Sequence, residues 1–339
     1  MRDGGVVVVI MSDVARLANV SMQTVSRVVN GKDQVSTKTK AAVLAAIDEL
    51  GYRPNTIARA LASRKSKSIG LISTGIAARS LSKRLLAFNE AARASGYQVS
   101  IVSIDDADHQ GLLDAFDALL QQNVEGVVVI AADRELLEVI QEIKVDVPLV
   151  ISEGSSAPGL HHVSVDQFEG ARTATRHLLD LGHREIRHIA GPRRSLDASE
   201  RTRGWRAAMD EAGISAPDPI IGDWRPAGGY EAGLQLLNDF DFTAVFCAND
   251  QMAVGLLHAF AEAGVRVPDD VSIVGFDDIP ESAHLIPPLT TIRQDFDELG
   301  QRIMATLMAE IEGTELTTPA STSPELIIRE STQRAASRQ

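Results

Sequence analysis

Gln23 and Arg27 stand four residues apart in the segment Met22-Gln-Thr-Val-Ser-Arg-Val-Val-Asn30. Residues four apart share one face of a helix. Both side chains can read base edges in a major groove, Gln at adenine and Arg at guanine. A second set comes much later: Glu153, Trp224, Asn249, Asp250, Asp277 and Asp278, each just past a short run rich in Val, Ile or Leu. Carboxylates and amides exchange hydrogen bonds with hydroxyl groups, and an aromatic plane packs on the apolar face of a sugar ring. The chain therefore offers one chemistry suited to a nucleic acid near its start and another suited to a small polyhydroxylated ligand in its body.

The first set needs helices to hold it. Asp13-Val-Ala-Arg-Leu-Ala18 places Val14, Leu17 and Ala18 on one face, and Asn19-Val20-Ser21 then breaks the pattern. Asn tolerates the left-handed backbone of a tight turn, and Ser21 is a suitable N-cap for a second helix. In that helix Val25, Val28 and Val29 form the inner stripe, leaving Met22, Gln23, Ser26, Arg27 and Asn30 outside. A third helix is expected over Thr37 to Leu50, with Val43, Leu44, Ile47 and Leu50 inward and Gly51 closing it. Two short helices joined by a three-residue turn form a helix-turn-helix candidate; a small bundle with a solvated polar face fits the same pattern. In Asn55-Thr-Ile-Ala-Arg-Ala-Leu-Ala-Ser63, Asn55 can cap a short helix with Ile57, Ala58 and Leu61 on one face, and Arg64, Lys65 and Lys67 come next. This segment is shorter than the roughly 12–15 residues an isolated helix needs. It is expected to fold only on a partner; the alternative is a flexible basic linker with Leu61 tucked against the body.

The charge is split in the same way. The formal net charge is −13 over 339 residues, yet residues 1–68 hold 11 Lys and Arg against 5 Asp and Glu, while the remainder holds 22 against 41. A basic head on an acidic body is expected when one end meets a polyanion, and the body would repel DNA. A hydrophobic fraction of 44% and a charged fraction of 23% exclude a wholly disordered chain. The length suggests two or three domains at roughly 150 residues each. No stretch approaches the ~18 apolar residues of a membrane helix. The run from Val6 to Met11 falls short of the ~7–15-residue core of an export signal. A single cysteine, Cys247, excludes an intramolecular disulfide and a Cys-based zinc cluster. The expectation is a cytoplasmic protein with no cofactor and no metal.

From Ser68 onward short apolar runs alternate with helical patterns: Ile69–Ser73, Val99–Ile104, Val127–Ile130, Leu149–Ile151, Ile186–Ile189, Ala244–Cys247 and Val271–Phe276. Their Val, Ile and Leu content is that of strands buried on both faces. The alternation implies βαβ units and parallel sheet, in two doubly wound lobes rather than one. Ligands of such sheets sit beyond the carboxyl ends of the strands, where Glu153, Trp224, Asn249 and Asp277 fall. Asp277 and Asp278 could instead cap a following helix or turn. Trp205, in mid-helix, reads as core. His177, His183 and His188 have neither a His-Glu-x-x-His spacing nor a cysteine partner, and read as structural.

The head motif Asp13-Val-Ala…Val20-Ser-Met-Gln-Thr-Val-Ser-Arg-Val-Val-Asn30…Val35-Ser…Leu50-Gly-Tyr-Arg-Pro-Asn55…Ala58…Leu61 resembles, almost without gaps, the DNA-binding head of the lactose/galactose repressor (LacI/GalR) family. Arg201-Thr-Arg-Gly-Trp205, Ala248-Asn-Asp-Gln-Met-Ala253, Val274-Gly-Phe-Asp-Asp278 and Pro287-Pro-Leu-Thr-Thr-Ile-Arg-Gln-Asp-Phe296 resemble the family's effector-binding core, which is similar to periplasmic sugar-binding proteins. The resemblance covers nearly the whole chain. It implies an α/β protein with an all-α helix-turn-helix head at 1–54 and a hinge helix and linker at 55–67. A two-lobed, doubly wound core completes it, one lobe built from 68–166 and 294–324 and the other from 167–293 and 325–335.

The same resemblance implies that Met22, Gln23, Thr24, Ser26, Arg27 and Asn30 meet operator DNA. It implies that Asn55, Ala58, Arg59 and Leu61 act in the hinge, with Leu61 wedged into the minor groove. Thr74, Ala78, Glu153, Arg201, Trp224, Asn249, Asp277, Gln294 and Phe296 would line the effector pocket, where a guanidinium can bridge two hydroxyls. Two departures stand out. Ile10 occupies the place of a capping Thr, so the first cap is weak or shifted to Ser12. Met22 replaces an aromatic hydroxyl found in lactose-responsive members, which changes the expected operator sequence. Those members' C-terminal heptad tail has no counterpart here, which implies a homodimer. The pocket positions resemble those of lactose-responsive members more than purine-responsive ones, which implies a galactoside or glucoside. The implied function is a repressor released from a palindromic operator by a sugar. A ligand-corepressed regulator or a sugar-binding protein without DNA function are the alternatives.

An enzyme on a doubly wound scaffold is the other class to weigh. The chain has no Gly-x-Ser-x-Gly elbow, no Walker loop and no Gly-x-Gly-x-x-Gly opening a helix after a strand. Cys247 lies in an apolar run and reads as inert core. The adjacent acids Asp105-Asp106 and Asp269-Asp270 point apart, so no catalytic residue is assigned. Arg27→Ala is expected to cost roughly 1–3 kcal/mol of operator binding and to relax specificity at one base position; competition binding against single-base operator variants measures both.

Overall fold

The computed structural model describes residues 9–29, 35–52, 65–74, 79–104, 108–130, 134–152, 161–315 and 321–335. The chain divides into two compact units, residues 1–66 and 67–339. The first holds helices α1 (Met11–Leu17), α2 (Met22–Val29) and α3 (Thr37–Leu50) around Val14, Ala15, Val25, Val28, Val43, Ala46 and Tyr52. Local chemistry sets each boundary. Asn19 takes the left-handed turn between α1 and α2 with φ 52°. The Ser21 and Ser36 hydroxyls each accept from the amide three residues on at 3.2 Å, and Gly51 ends α3 with φ 61°.

The start of α1 is weaker. Its cap is Ile10, which has no side-chain acceptor, and the Asp13 carboxylate instead accepts from the Ile10 amide at 3.1 Å. Ser12 lies inside the helix, so the cap has not shifted there. Leu17 and Leu44 also depart from expectation, being 45% and 47% exposed. The α3 seam runs through Val43 and Ala46 with Ile47 and Leu50 beside it. Leu44 is turned about 100° from Val43 and falls outside that seam.

The second unit contains two parallel sheets. The first has the order β11-β5-β4-β3-β1-β2, with β1 (Ser68–Thr74), β2 (Gln98–Ile104), β3 (Val127–Ile130), β4 (Leu149–Ser152), β5 (His161–Val165) and β11 (Ser321–Thr322). Helices α4 (Arg79–Ala94) and α11 (Phe296–Glu312) cover one face through Phe88, Leu299, Ile303 and Leu307. Helices α5 (His109–Gln121) and α6 (Arg134–Glu142) cover the other through Leu112, Phe116, Leu119 and Ile140. The second sheet has the order β7-β6-β8-β9, with β6 (Ile186–Ala190), β7 (Ile220–Ile221), β8 (Ala244–Cys247) and β9 (Ser272–Val274). It is sandwiched between α7 (Gln167–Asp180) with α8 (Leu196–Glu211) and α9 (Pro226–Leu237) with α10 (Asp250–Glu262). This is the doubly wound, two-lobed architecture expected from the alternating runs. Strands β10 (Thr291–Arg293) and β12 (Glu325–Ile327) form an antiparallel pair near the passages between lobes. Strands β5, β10, β11 and β12 carry His, Ser, Thr, Arg and Glu, and none was among the expected apolar runs.

Among the described residues no helix is long and apolar enough to cross a membrane. The approach of α8 to α7 matters most for the site. A Cβ at Gly204 would stand 2.2 Å from the Phe168 carbonyl oxygen, so the two helices meet backbone to backbone. Trp205, fully buried next to it, fills the space beneath. Gly204→Ala must push α8 away from α7 at a cost of about 1–3 kcal/mol. A urea denaturation midpoint lowered accordingly is the expected result, and an unchanged midpoint would show that the helices can separate freely.

Candidate DNA interface and effector cleft

In the first unit, α2 exposes Met22 and Gln23 in its first turn, and Ser26 and Arg27 are half-buried one turn later. The Thr24 hydroxyl lies 2.9 Å from that of Ser21, within the helix cap. Buried Val25 and Val28 anchor the opposite face and so fix the direction in which Gln23 and Arg27 project. Asn30, Asn55, Ala58, Arg59 and Leu61 lie outside the described residues, as do Ala78 and Glu153 of the second set.

The second unit gathers its polar residues around Arg201, on the buried side of α8. The Arg201 Nε donates to Gln167 Oε1 at 2.9 Å, one terminal nitrogen donates to the Ala248 carbonyl, and the other lies 3.4 Å from Asp277 Oδ1. Gln294 donates to the same Asp277 oxygen at 2.6 Å, and Gln167 donates to Gln294 at 2.9 Å. The four side chains thus close a ring. The guanidinium carbon sits 3.8 Å from the centre of the Phe276 ring and 5.4 Å from that of Trp224. The Arg201 and Asp277 side chains are 3% and 6% exposed. Burial draws the Arg201 guanidinium below its ordinary pKa against the pull of Asp277 and Asp197. Burial likewise raises the Asp277 carboxyl, opposed by Arg201 and then Arg84.

The loop that carries Asp277 is unusual. Asp277 and Asp278 have φ of 114° and 48°, conformations that cost about 1–3 kcal/mol for side chains of this kind. Buried Asp250 holds the loop, accepting from the Ile279 amide at 3.0 Å and the Ser282 and Thr291 hydroxyls at 2.7 and 2.6 Å. Burial, and then the neighbouring Asp277 charge, push its carboxyl up to about 7. Asp278 is taken up by Arg293 at 2.7 Å and Arg329 at 2.5 Å, which tie the loop to β10 and the chain after β12.

The other expected pocket residues take distinct places. Asn249 caps α10 through the Met252 amide at 2.9 Å and donates to the Trp224 carbonyl at 3.1 Å. It thereby holds Trp224 in a left-handed conformation with φ 68°. A Cβ on Gly191 would lie 2.2 Å from the indole, so only glycine lets that ring settle there. Phe296 opens α11 with the Arg84 guanidinium 5.5 Å from its ring centre. Thr74 ends β1, its buried hydroxyl donating to the Ile130 carbonyl at 3.3 Å. The structure therefore joins Arg201, Asp277 and Gln294 in one network and sets Trp224 beside it.

Three residues of this site escaped the sequence reading. Gln167 completes the ring, and Arg84 pairs with Asp197 at 2.9 Å across the two lobes. Gln167 opens the helix after β5, a strand the apolar runs did not reveal. Arg84 had a signal: it stands three and four residues before the buried Ala87 and Phe88, a charge on an apolar stripe.

His177, His183 and His188 are held by internal hydrogen bonds. His188 donates from Nδ1 to the Phe246 carbonyl at 2.9 Å, with its Nε2 3.2 Å from the Thr202 hydroxyl, and burial pushes its pKa down to about 4. His183 bonds Thr243, Ser272 and the Gln333 carbonyl, and His177 bonds Thr332. Cys247 is buried, which pushes its thiol pKa up. Among the described residues no group of three or more His, Cys, Asp or Glu could hold a metal.

The chain thus has a three-helix head and a two-lobed core that buries a polar network where its lobes meet. Comparison with known proteins places it further. Residues 10–55 match the model of bacterial regulatory proteins of the lacI family, and residues 175–332 match the periplasmic binding protein-like domain. The chain is 36% identical over 330 residues to the HTH-type transcriptional repressor PurR of Pasteurella multocida, covering 95% of this chain and 98% of that one. It is 36% identical over 307 residues to the lactose operon repressor of Escherichia coli, covering 90% and 85%. The solved lac repressor dimer bound to operator and the anti-inducer ONPF superposes with a TM-score of 0.86 at 34% identity, covering 96% and 99%. A transcriptional regulator CelR–cellobiose complex superposes with a TM-score of 0.69 at 32% identity, covering 95% and 99%. The chain belongs to the lacI family of bacterial regulatory proteins, as a transcriptional repressor with a helix-turn-helix head and an effector-binding core. These relatives are regulators, not enzymes.

The His188 environment predicts a pH dependence of stability. Its folded pKa of about 4 lies below the ordinary 6.5, so the unfolded chain takes up this proton first as pH falls. Stability is therefore lost between about 6.5 and 4. His188→Asn should flatten urea-denaturation midpoints across that window; a slope unchanged by the substitution would contradict the assignment.

Proposed function

We propose that this protein is a dimeric repressor of carbohydrate-utilisation genes, released from a near-palindromic operator by a small sugar, a galactoside or glucoside. The observation that carries the reading is the ring of Arg201, Gln167, Gln294 and Asp277 with Trp224 beside it. A guanidinium, two amides and a carboxylate offer convergent donors and acceptors to vicinal hydroxyls, and the indole offers a plane to a sugar's apolar face. The lac repressor and CelR structures, one with an operator and one with cellobiose, support both halves of the proposal.

Met22, Gln23 and Arg27 face bases, while Lys32, Lys38, Lys40, Arg53 and Arg59 contact phosphates, so binding weakens as salt rises. The segment 55–67 folds on DNA, with Leu61 wedged into the minor groove. Thr74, Ala78 and Glu153 add to the pocket wall. Sugar bound between the lobes stabilises the arrangement with lower DNA affinity. The shift cannot exceed the sugar's differential affinity for the two states, typically ~1–3 kcal/mol.

Selection of random duplexes by the full-length protein, with and without a panel of galactosides, glucosides and purine bases, tests the reading. The expected result is one enriched palindrome, lost when one sugar is present. Enrichment only in the presence of a ligand would reverse the sign of control, and no enrichment would remove the DNA-reading role. Asp277→Asn should weaken binding of that sugar about tenfold to a hundredfold, the worth of a hydrogen bond to a charged group, by isothermal calorimetry.

A further inference from the structure

Two arginines are buried in the same cleft. Arg84 comes from α4 in the first lobe and Arg201 from α8 in the second, and each side chain is 3% exposed. Asp197 lies between them, its Oδ2 2.9 Å from Arg84 Nη2 and 4.0 Å from Arg201 Nη2. The Phe296 ring supports the Arg84 guanidinium. Paired, desolvated guanidiniums ordinarily recognise a carboxylate or phosphate on a ligand. Here a carboxylate of the protein already occupies that role. With Asp277 on Arg201, these two arginines and two aspartates balance in charge. Lys83 is directed to the Asp278 carbonyl at 3.2 Å.

We infer that Asp197 is a specificity-determining residue of the effector cleft, a built-in counter-anion that admits neutral glycosides and turns away sugar acids and sugar phosphates. The inference rests on the reading of the cleft as a sugar site. An acidic ligand would have to displace Asp197 from Arg84, leaving a buried carboxylate with only Arg201 at 4.0 Å and next to a second negative charge. Both consequences are unfavourable. A neutral sugar accepts from Arg84 and donates to Asp197 without disturbing the balance. Because Arg84 and Asp197 belong to different lobes, the discrimination acts at the seam that a bound ligand must bridge.

Isothermal calorimetry on the full-length protein tests this. The probes are methyl β-galactoside and methyl β-glucoside, their uronic-acid and 6-phosphate counterparts, and lactose and cellobiose as further neutral sugars. The wild type is expected to bind a neutral sugar at least about tenfold more tightly than the acidic counterparts. Asp197→Asn, which keeps size and hydrogen bonding, should shift that ratio toward the acidic sugars by at least about tenfold. The double variant Arg84→Met/Asp197→Asn should lose that shift. A wild type that prefers an acidic sugar, or a ratio unmoved by Asp197→Asn, would overturn the inference while leaving the sugar site standing. A wild type that binds none of the probes would overturn the sugar site and the inference together.

Discussion

A guanidinium taken out of water must be met by acceptors on all sides, and the burial of Arg201 is the constraint around which the core is arranged. Its partners come from three places in the chain, Gln167 at the start of α7, Ala248 after β8 and Asp277 after β9, and Gln294 after β10 bonds both Gln167 and Asp277. Each is fixed by something behind it. Gly204 lets α8 approach α7 closely enough for the Gln167 contact. Asp250 holds the loop that forces Asp277 into a positive-φ conformation. Asp278 anchors the far side of the same loop to Arg293 and Arg329. Removing one partner from such a network leaves buried charge uncompensated, which is far more costly than the network is stabilising. On the proposed reading its use is specificity, since a ligand must satisfy what it displaces.

The network also lies where coupling can be generated. Gln294 sits between β10 and α11, on the passage from one lobe to the other, and Arg84–Asp197 spans the lobes directly. Both contacts are discrete polar arrangements rather than deformable packing, so a ligand that reorganises them shifts a balance between lobe arrangements. A buried ion pair between lobes contributes little net stability, because its attraction is offset by desolvation. On the proposed reading, a small ligand decides the closure of the lobes.

Much of this was legible in the sequence, for physical reasons that differ by region. The head emerged from turn and cap chemistry, since Asn19, Ser21 and Gly51 occupy positions that few other residues tolerate. The fully buried strands emerged from uninterrupted Val and Ile. The polar strands β5, β10, β11 and β12 did not, because they are short and carry residues also found in loops. With β5 unseen, Gln167 could not be placed at a strand's carboxyl end. Arg201 and Asp277 were recognisable from their motifs. Asn249 was recognisable too, but its described contacts position Trp224 and cap α10. The Arg84–Asp197 pair depends on two lobes meeting, which no local pattern encodes, and only the charge on the apolar stripe of α4 hinted at it.

The central claim is that one ligand in the cleft and one operator at the head compete for the conformation of a single chain. Linkage makes that claim reciprocal. The most direct measurement is the affinity of the full-length protein for the proposed sugar effector, free and again when saturated with the selected operator duplex. The account predicts weaker sugar binding on the operator, by the same factor by which the sugar weakens operator binding, typically about 5- to 150-fold. Equal sugar affinity in the two states would contradict it, since a ligand that does not distinguish them cannot release the DNA.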